Sequence, residues 1–336
     1  MFCKKGTKES KKTEQWEDKF HGSAFVATGN RYASFTWKAS EKPQGLIVPK
    51  DDSSLAEWRY NLGAKIYGVG RLNYDDDEAN TVQSFDGGFI TYGTTVSCSD
   101  DFMAEGQMKE KMARKYIAFA ALPDENTVLC IQYAKTINRC FISEIAGTFW
   151  NIPNDIFNGR QRKLSYEYGG NFFRGGDYAN QYETISLGSY VNVDDKIGLA
   201  SKTPLTLVRR GERQVKIKWR ENSGTLYAEE ICAPYHKEFR WFDRNTDIID
   251  TGFALALGSA EDTEKLSKSL ISPKVEGFKT IGVKAKNNKL YVMAANFTEN
   301  DKIFNSDSLG LGVGTDVVTG KKKISVKPNE AVLIVF

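Results

Sequence analysis

A chain of 336 residues exceeds the size at which one hydrophobic core usually stops growing, so its length calls for a principal domain with a smaller companion. Apolar residues at 40%, aromatics at 12% and 8 prolines describe a globular protein and exclude a disordered or fibrous one. Lys+Arg of 46 against Asp+Glu of 43 leaves a net charge of +3, too small for the field a general nucleic-acid binder needs, and no apolar run of about 18 residues is present for membrane insertion.

Residues 1–18 form a first unit, in which Lys4, Lys5, Lys8, Lys11 and Lys12 are diluted only by Glu9. They suit a solvated, disordered or extended tail, or alternatively a basic arm for an anionic polymer. The start lacks the apolar core of a secretory signal, so either the protein stays inside or a leader was removed.

From residue 19 to 272 the dominant signal is period-two alternation bounded by turn residues, which predicts half-buried strands. Tyr32–Lys38 places Tyr32, Ser34 and Thr36 on one face and Ala33, Phe35 and Trp37 on the other. Similar runs recur at Gly45–Val48, Ala64–Leu72, Phe89–Cys98, Lys115–Leu122, Thr127–Tyr133, Arg139–Ile145, Thr184–Val193, Leu205–Arg209, Gln214–Arg220 and Thr225–Cys232. So many short strands argue for an all-β, large antiparallel multi-sheet sandwich rather than βαβ units.

Between these strands lie the candidate sites. Asp75-Asp76-Asp77-Glu78 crowds four carboxylates; adjacent ones on an extended chain point in alternating directions, so a solvated turn is expected in preference to a cation site. Asp101–Arg114, with Met103, Met108 and Met112, fits either a helix or an extended edge. The segment Asn151–Arg162, flanked by Trp150, Tyr166 and Tyr168, is the densest polar and aromatic loop. Sugars stack on aromatic rings while Asn, Asp and Arg serve their hydroxyls, which nominates Trp150, Asn154, Asn158, Arg160, Arg162, Tyr166, Tyr168 and, from the glycine-rich loop that follows, Arg174. The same residue types also build any long interstrand connection. Asp194-Asp195 suits a hairpin turn, and Lys216, Lys218 and Arg220 share one face of a strand that would either line a polyanion groove or simply face water.

Only two histidines exist, His21 and His236, the latter in Pro234–Trp241, whose aromatic and basic mixture would suit a carboxylated sugar. Packing or surface roles are the alternative for both. The five cysteines (Cys3, Cys98, Cys130, Cys140, Cys232) have no metal-ligand spacing, so no metal or cofactor is expected and buried free thiols are. Ser259–Leu270 carries a cap, early acids and late lysines and so predicts a helix, ended by Pro273. Residues 273–336 then alternate again around an Asn287-Asn288 turn and end in Ala331–Phe336, which predicts a small C-terminal β-sandwich packed on the larger one.

Asp316-Val-Val-Thr-Gly320 followed by Val326-Lys-Pro-Asn-Glu-Ala-Val-Leu-Ile-Val-Phe336 resembles the closing β-sandwich of many carbohydrate-active enzymes. The order Trp16–Phe20, Gly22, Tyr32–Trp37, then a long strand series and a small sandwich, is similar to the supersandwich and C-terminal β domains of polysaccharide lyases of the hyaluronate, chondroitin and xanthan type. In that family an α-helical toroid supplies the catalytic residues, and none is recognisable here, so no catalytic residue carries over. The resemblance implies a supersandwich-like β portion of a larger enzyme, a polysaccharide or oligosaccharide partner and an α-helical catalytic domain or chain. Alternatives are a non-catalytic carbohydrate-binding or structural module, and a mutarotase-shaped enzyme. Mutarotases use two histidines with a carboxylate, which makes His21 and His236 the catalytic candidates, although the spacing of that family is not recognisable.

Overall fold

The computed structural model describes residues 13–38, 43–55, 62–70, 72–100, 109–153, 162–173, 183–209, 213–214, 225–226 and 228–336. Four strands open it: β1 (Glu14–Asp18), β2 (Ser23–Ala27), β3 (Arg31–Thr36) and β4 (Gln44–Pro49) pair in chain order as an antiparallel meander. Next come β5 (Gly63–Tyr67), the long strands β6 (Asn73–Phe85), β7 (Gly88–Asp100), β8 (Lys109–Ala121) and β9 (Thr127–Thr136), then β10 (Cys140–Ile142) and β11 (Glu144–Pro153). β12 (Arg162–Tyr166) and β13 (Gly169–Phe173) make a hairpin, and β14 (Glu183–Val193) and β15 (Ile197–Arg209) a longer one. β16 (Arg213–Gln214), β17 (Thr225–Leu226), β18 (Ala228–Cys232), β19 (Tyr235–His236), β20 (Arg240–Phe242) and β21 (Asp247–Leu257) precede the helix α1 (Ala260–Ser269).

The fold is all-β, in several antiparallel sheets. Its centre is the run β13-β12-β14-β15-β21-β9-β8-β7-β6. Strand β15 pairs with β14 along one edge and divides the other: Ile197–Ser201 pairs with β21, whereas Thr206–Arg209 pairs with β18, which hands on to β11 and then β5. The sheet thereby forks at β15. Alternate residues of the central strands go to different cores: Ile117, Phe119, Val128, Cys130, Phe253 and Leu255 pack with Val26, Phe35 and Trp37 of the N-terminal meander, while Ala118, Ala120, Leu129, Ile131 and Ala254 face the other way. Burial on both faces explains why these strands are nearly continuous apolar runs.

The second face is covered by α1 and by the sheet of β22 (Lys279–Lys284), β23 (Leu290–Ala295), β25 (Thr315–Asp316) and β27 (Ala331–Val335), whose other side packs Ala294, Val332 and Ile334 against Phe304 and Val326 of the paired strands β24 (Lys302–Asn305) and β26 (Lys323–Val326). Ile281, Val283, Tyr291, Met293 and Leu333 share the core on that second face with Leu266 and Leu270 of the helix. The predicted helix forms with a reciprocal cap: Ser259 Oγ accepts from Asp262 N at 3.1 Å, and Asp262 Oδ2 from Ser259 N at 3.1 Å. Asp194 and Asp195 make the β14–β15 turn with φ of 55° and 58°, as predicted, and Asp195 Oδ1 also accepts from Ala260 N at 2.7 Å. In the closing segment Asp316 Oδ2 accepts from Thr319 N at 2.8 Å, which holds the turn that Gly320 completes at φ 71°.

Two expectations change. Asp75–Glu78 is not a solvated turn but part of β6, because cations meet its carboxylates: Lys115 pairs with Asp75, both side chains at 1% exposure, and Arg114 grips Glu78 through Nε and Nη2 at 2.7 and 2.8 Å. The open choice at Asp101–Arg114 resolves for its last part as strand, β8 beginning at Lys109, while 101–108 lies outside the described residues.

Candidate functional site

Of the residues nominated around the Asn151–Arg162 loop, the described ones, Trp150, Arg162, Tyr166 and Tyr168, do not converge on one surface. Trp150, at 2% exposure, belongs to the main core, paired with Ile231 across β11 and β18, so its ring faces are taken by protein and none is left for a sugar. Arg162 is fully buried: Nη1 donates to Asp194 Oδ2 at 2.7 Å and Nη2 to the Ser54 carbonyl at 2.6 Å, which consumes it as a structural cross-tie. Tyr166 is half-buried against the core, and Tyr168 stands exposed in the β12–β13 turn. Asn154, Asn158, Arg160 and Arg174 lie outside the described residues, as do Lys216, Lys218 and Arg220.

The two histidines are placed on different sheets. His21 sits in the exposed turn after β1, its Nδ1 2.6 Å from Asp18 Oδ2, and that hydrogen bond holds the Asp18 carboxyl below its usual range. His236 is half-buried on β19, opposite Ile145 of β11. Its Nε2 is enclosed and has no hydrogen-bond partner among the described residues.

Around His236 the structure assembles a surface that no single stretch of sequence displays. β10 and β20 form a two-stranded ribbon in which Cys140 faces Phe242, Phe141 faces Trp241 and Ile142 faces Arg240. Alternation sends Cys140, Ile142 and Phe242 into a core with Ile145 and Ile248, and leaves Phe141 and Trp241 outward. Phe239 joins them, its ring centroid 5.8 Å from Phe141, which is 5.2 Å from Trp241. Trp241 is 59% exposed and Phe239 67%. The Arg139 guanidinium lies 5.0 Å from the Trp241 centroid and 3.7 Å from Asp243, and Arg240 lies 4.3 Å from the Phe242 centroid. The ribbon is tied down behind: Thr136 Oγ1 donates to the Asp243 carbonyl at 2.6 Å and accepts from Thr246 N at 2.8 Å.

No family model matches this chain, and no curated protein matches it. The chemistry of the ribbon therefore carries the functional argument. Arg139, Lys237, Arg240 and Arg244 outnumber Glu238 and Asp243 on this exposed stretch. Rings supply apolar area at little entropic cost, and guanidinium groups pair with carboxylates in a planar fork. Burial pushes the nearby Cys140 thiol up to about 12, so it stays protonated and inert. Cys98, Cys130 and Cys232 are likewise buried. Among the described residues no group of three or more His, Cys, Asp or Glu side chains could hold a metal ion.

A second feature escaped the sequence. Lys65 and Glu230 are buried 3.5 Å apart where β5 and β18 flank β11, and the Lys65 ammonium lies 3.5 Å from the Phe149 centroid. Neither sits in a motif, and only the pairing of both strands with β11 brings them together.

Proposed function

We propose that this chain is the β-sandwich portion of a carbohydrate-active enzyme, polysaccharide lyase or glycosidase-like, that contacts an extended acidic glycan through the β10–β20 ribbon. The observation that carries this is the cluster of Phe141, Phe239 and Trp241, two of its rings more than half exposed, with Arg139 over one of them. Two exposed rings packed on the half-buried Phe141 offer apolar area that solubility alone would select against. Arginines beside them supply the charge that a uronic acid requires. In this scheme an α-helical domain or chain supplies the catalytic groups, and the β portion orients the polymer.

Polygalacturonate titrated into the protein should quench tryptophan fluorescence saturably. Trp241→Ala should weaken binding about tenfold, the order expected for losing one stacked ring and its cation contact. Undiminished affinity in Trp241→Ala rejects the ribbon as the contact. Absence of any uronate binding by the intact protein rejects the glycan assignment itself.

A further inference from the structure

A second feature lies away from the ribbon, where the N-terminal meander, the β14–β15 turn, helix α1 and the β22–β23 turn meet. Two clefts adjoin there, of about 340 and 480 Å³, sharing Leu257, Gly258 and Lys286. Ala256, Leu257, Leu266 and Ala285 give the smaller one an apolar floor. Lysines ring the pair: Lys265, Lys284 and Lys286 on one side, Lys50 and Lys196 on the other, against Asp262 and Asp51. Three of these lysines are engaged, Lys196 with Asp52 at 2.5 Å, Lys265 with Glu261 at 2.6 Å and Lys50 with the Thr28 carbonyl at 3.3 Å. Lys284 and Lys286 are exposed, and neither ammonium makes a hydrogen bond or ion pair among the described residues, although the Lys286 charge helps to lower the Asp262 carboxyl through space. They are the two lysines at this junction without a direct partner, so their ammonium groups can turn to a ligand.

A row of rings leads to the same place. On the outward face of the meander Trp16 lies 5.8 Å from Phe25, Phe25 lies 6.1 Å from Tyr32, and the Lys50 ammonium lies 5.8 Å from the Tyr32 centroid. Each step is comparable to the length of one pyranose residue in an extended chain. Lys50 is thus common to the aromatic row and to the lysine-lined clefts.

We propose that this row and the paired clefts form a second binding track, in which an anionic oligosaccharide lies along Trp16, Phe25 and Tyr32 and delivers its charged groups to Lys284 and Lys286. The choice of a saccharide rests on the function proposed above; the anionic requirement rests on the unpaired lysines. Apolar contact holds the chain along the row, and charge selects it in the cleft.

Binding of a short oligogalacturonate, of its methyl-esterified uncharged counterpart and of inorganic sulfate should be compared by calorimetry. The proteins are the intact chain, Lys284→Gln/Lys286→Gln, Trp16→Ala and Trp241→Ala, each checked for unchanged circular dichroism. The double lysine variant should lose about tenfold in affinity for the charged oligosaccharide and show a flatter salt dependence, with the esterified form unaffected. Trp16→Ala should weaken both forms. Wild-type affinity in the lysine variant overturns the track, and if Trp241→Ala alone weakens binding, the ribbon stands without it. Sulfate binding as tightly as the oligosaccharide reduces the clefts to a simple anion site and also overturns the proposal. An intact chain that binds no saccharide removes both.

Discussion

Lys115 and Asp75 expose only about 1% of their side chains, and Lys115 also donates to the Ala64 carbonyl at 2.9 Å while Ser97 Oγ donates to Asp75 at 2.9 Å. A pair so enclosed has surrendered its hydration, so removing one member strands the other. Lys115→Met should cost about 3–5 kcal/mol by urea denaturation, and Asp75→Leu added to it should restore a large part. Acid sensitivity has its own source. Burial alone would raise the Asp52 carboxyl, but hydrogen bonds from Lys196 and Ser54 hold it well below the usual range; Arg114 lowers Glu78, and the Ser259 amide lowers Asp262. A carboxyl depressed on folding binds protons more readily in the unfolded chain. Its stabilisation is complete above the unfolded value of about 4 and is lost as pH falls through the depressed folded values. The urea midpoint should therefore hold steady from neutral pH down to about 5 and fall below 4, with a shallower fall in Asp52→Asn; a midpoint unchanged at low pH contradicts this account.

At the scale of elements, α1 is seated by a glycine. A Cβ at Gly198 would come 1.8 Å from Thr263 Oγ1, so β15 and the helix approach more closely than any side chain allows. Gly198→Ala should destabilise by about 1–3 kcal/mol because the helix must lift, and Ser259→Ala by about 1 kcal/mol through its lost cap. Thermal melts of the two variants check both. The helix was legible because its signals are local: a cap, early acids and late lysines within a dozen residues. The Asp194-Asp195 turn was legible for the same reason. Trp150 was not, since β11 buries Phe149 and Trp150 in succession and so shows no alternation to separate a core ring from a surface one. The ribbon was half legible. Pro234–Trp241 announced its rings and cations, but the pairing of Phe141 with Trp241 joins segments a hundred residues apart, and no local pattern encodes that contact.

For the whole molecule, the stacking of layers matters more than any division of the chain at residue 272. Leu333 and Met293 of the C-terminal sheet lie in one core with Ile90, Leu129 and Ile131 of the central sheet. Leu333→Ala should cost about 2–5 kcal/mol and lower a single calorimetric transition that includes the large domain. Two separated transitions, with only the smaller one shifted, would show that the layers melt independently.

The strand Ile197–Arg209 gives its first part to β21 and its last part to β18. Residues 202–205 between those parts pair with neither β21 nor β18, and against β14 the register jumps there from Gly188–Leu205 to Tyr190–Ala200, so the strand carries an irregularity, with Pro204 in it, where its partner changes. Drift in length within this strand should accordingly collect at 202–205, leaving Ile197–Ser201 and Thr206–Arg209 constant in number.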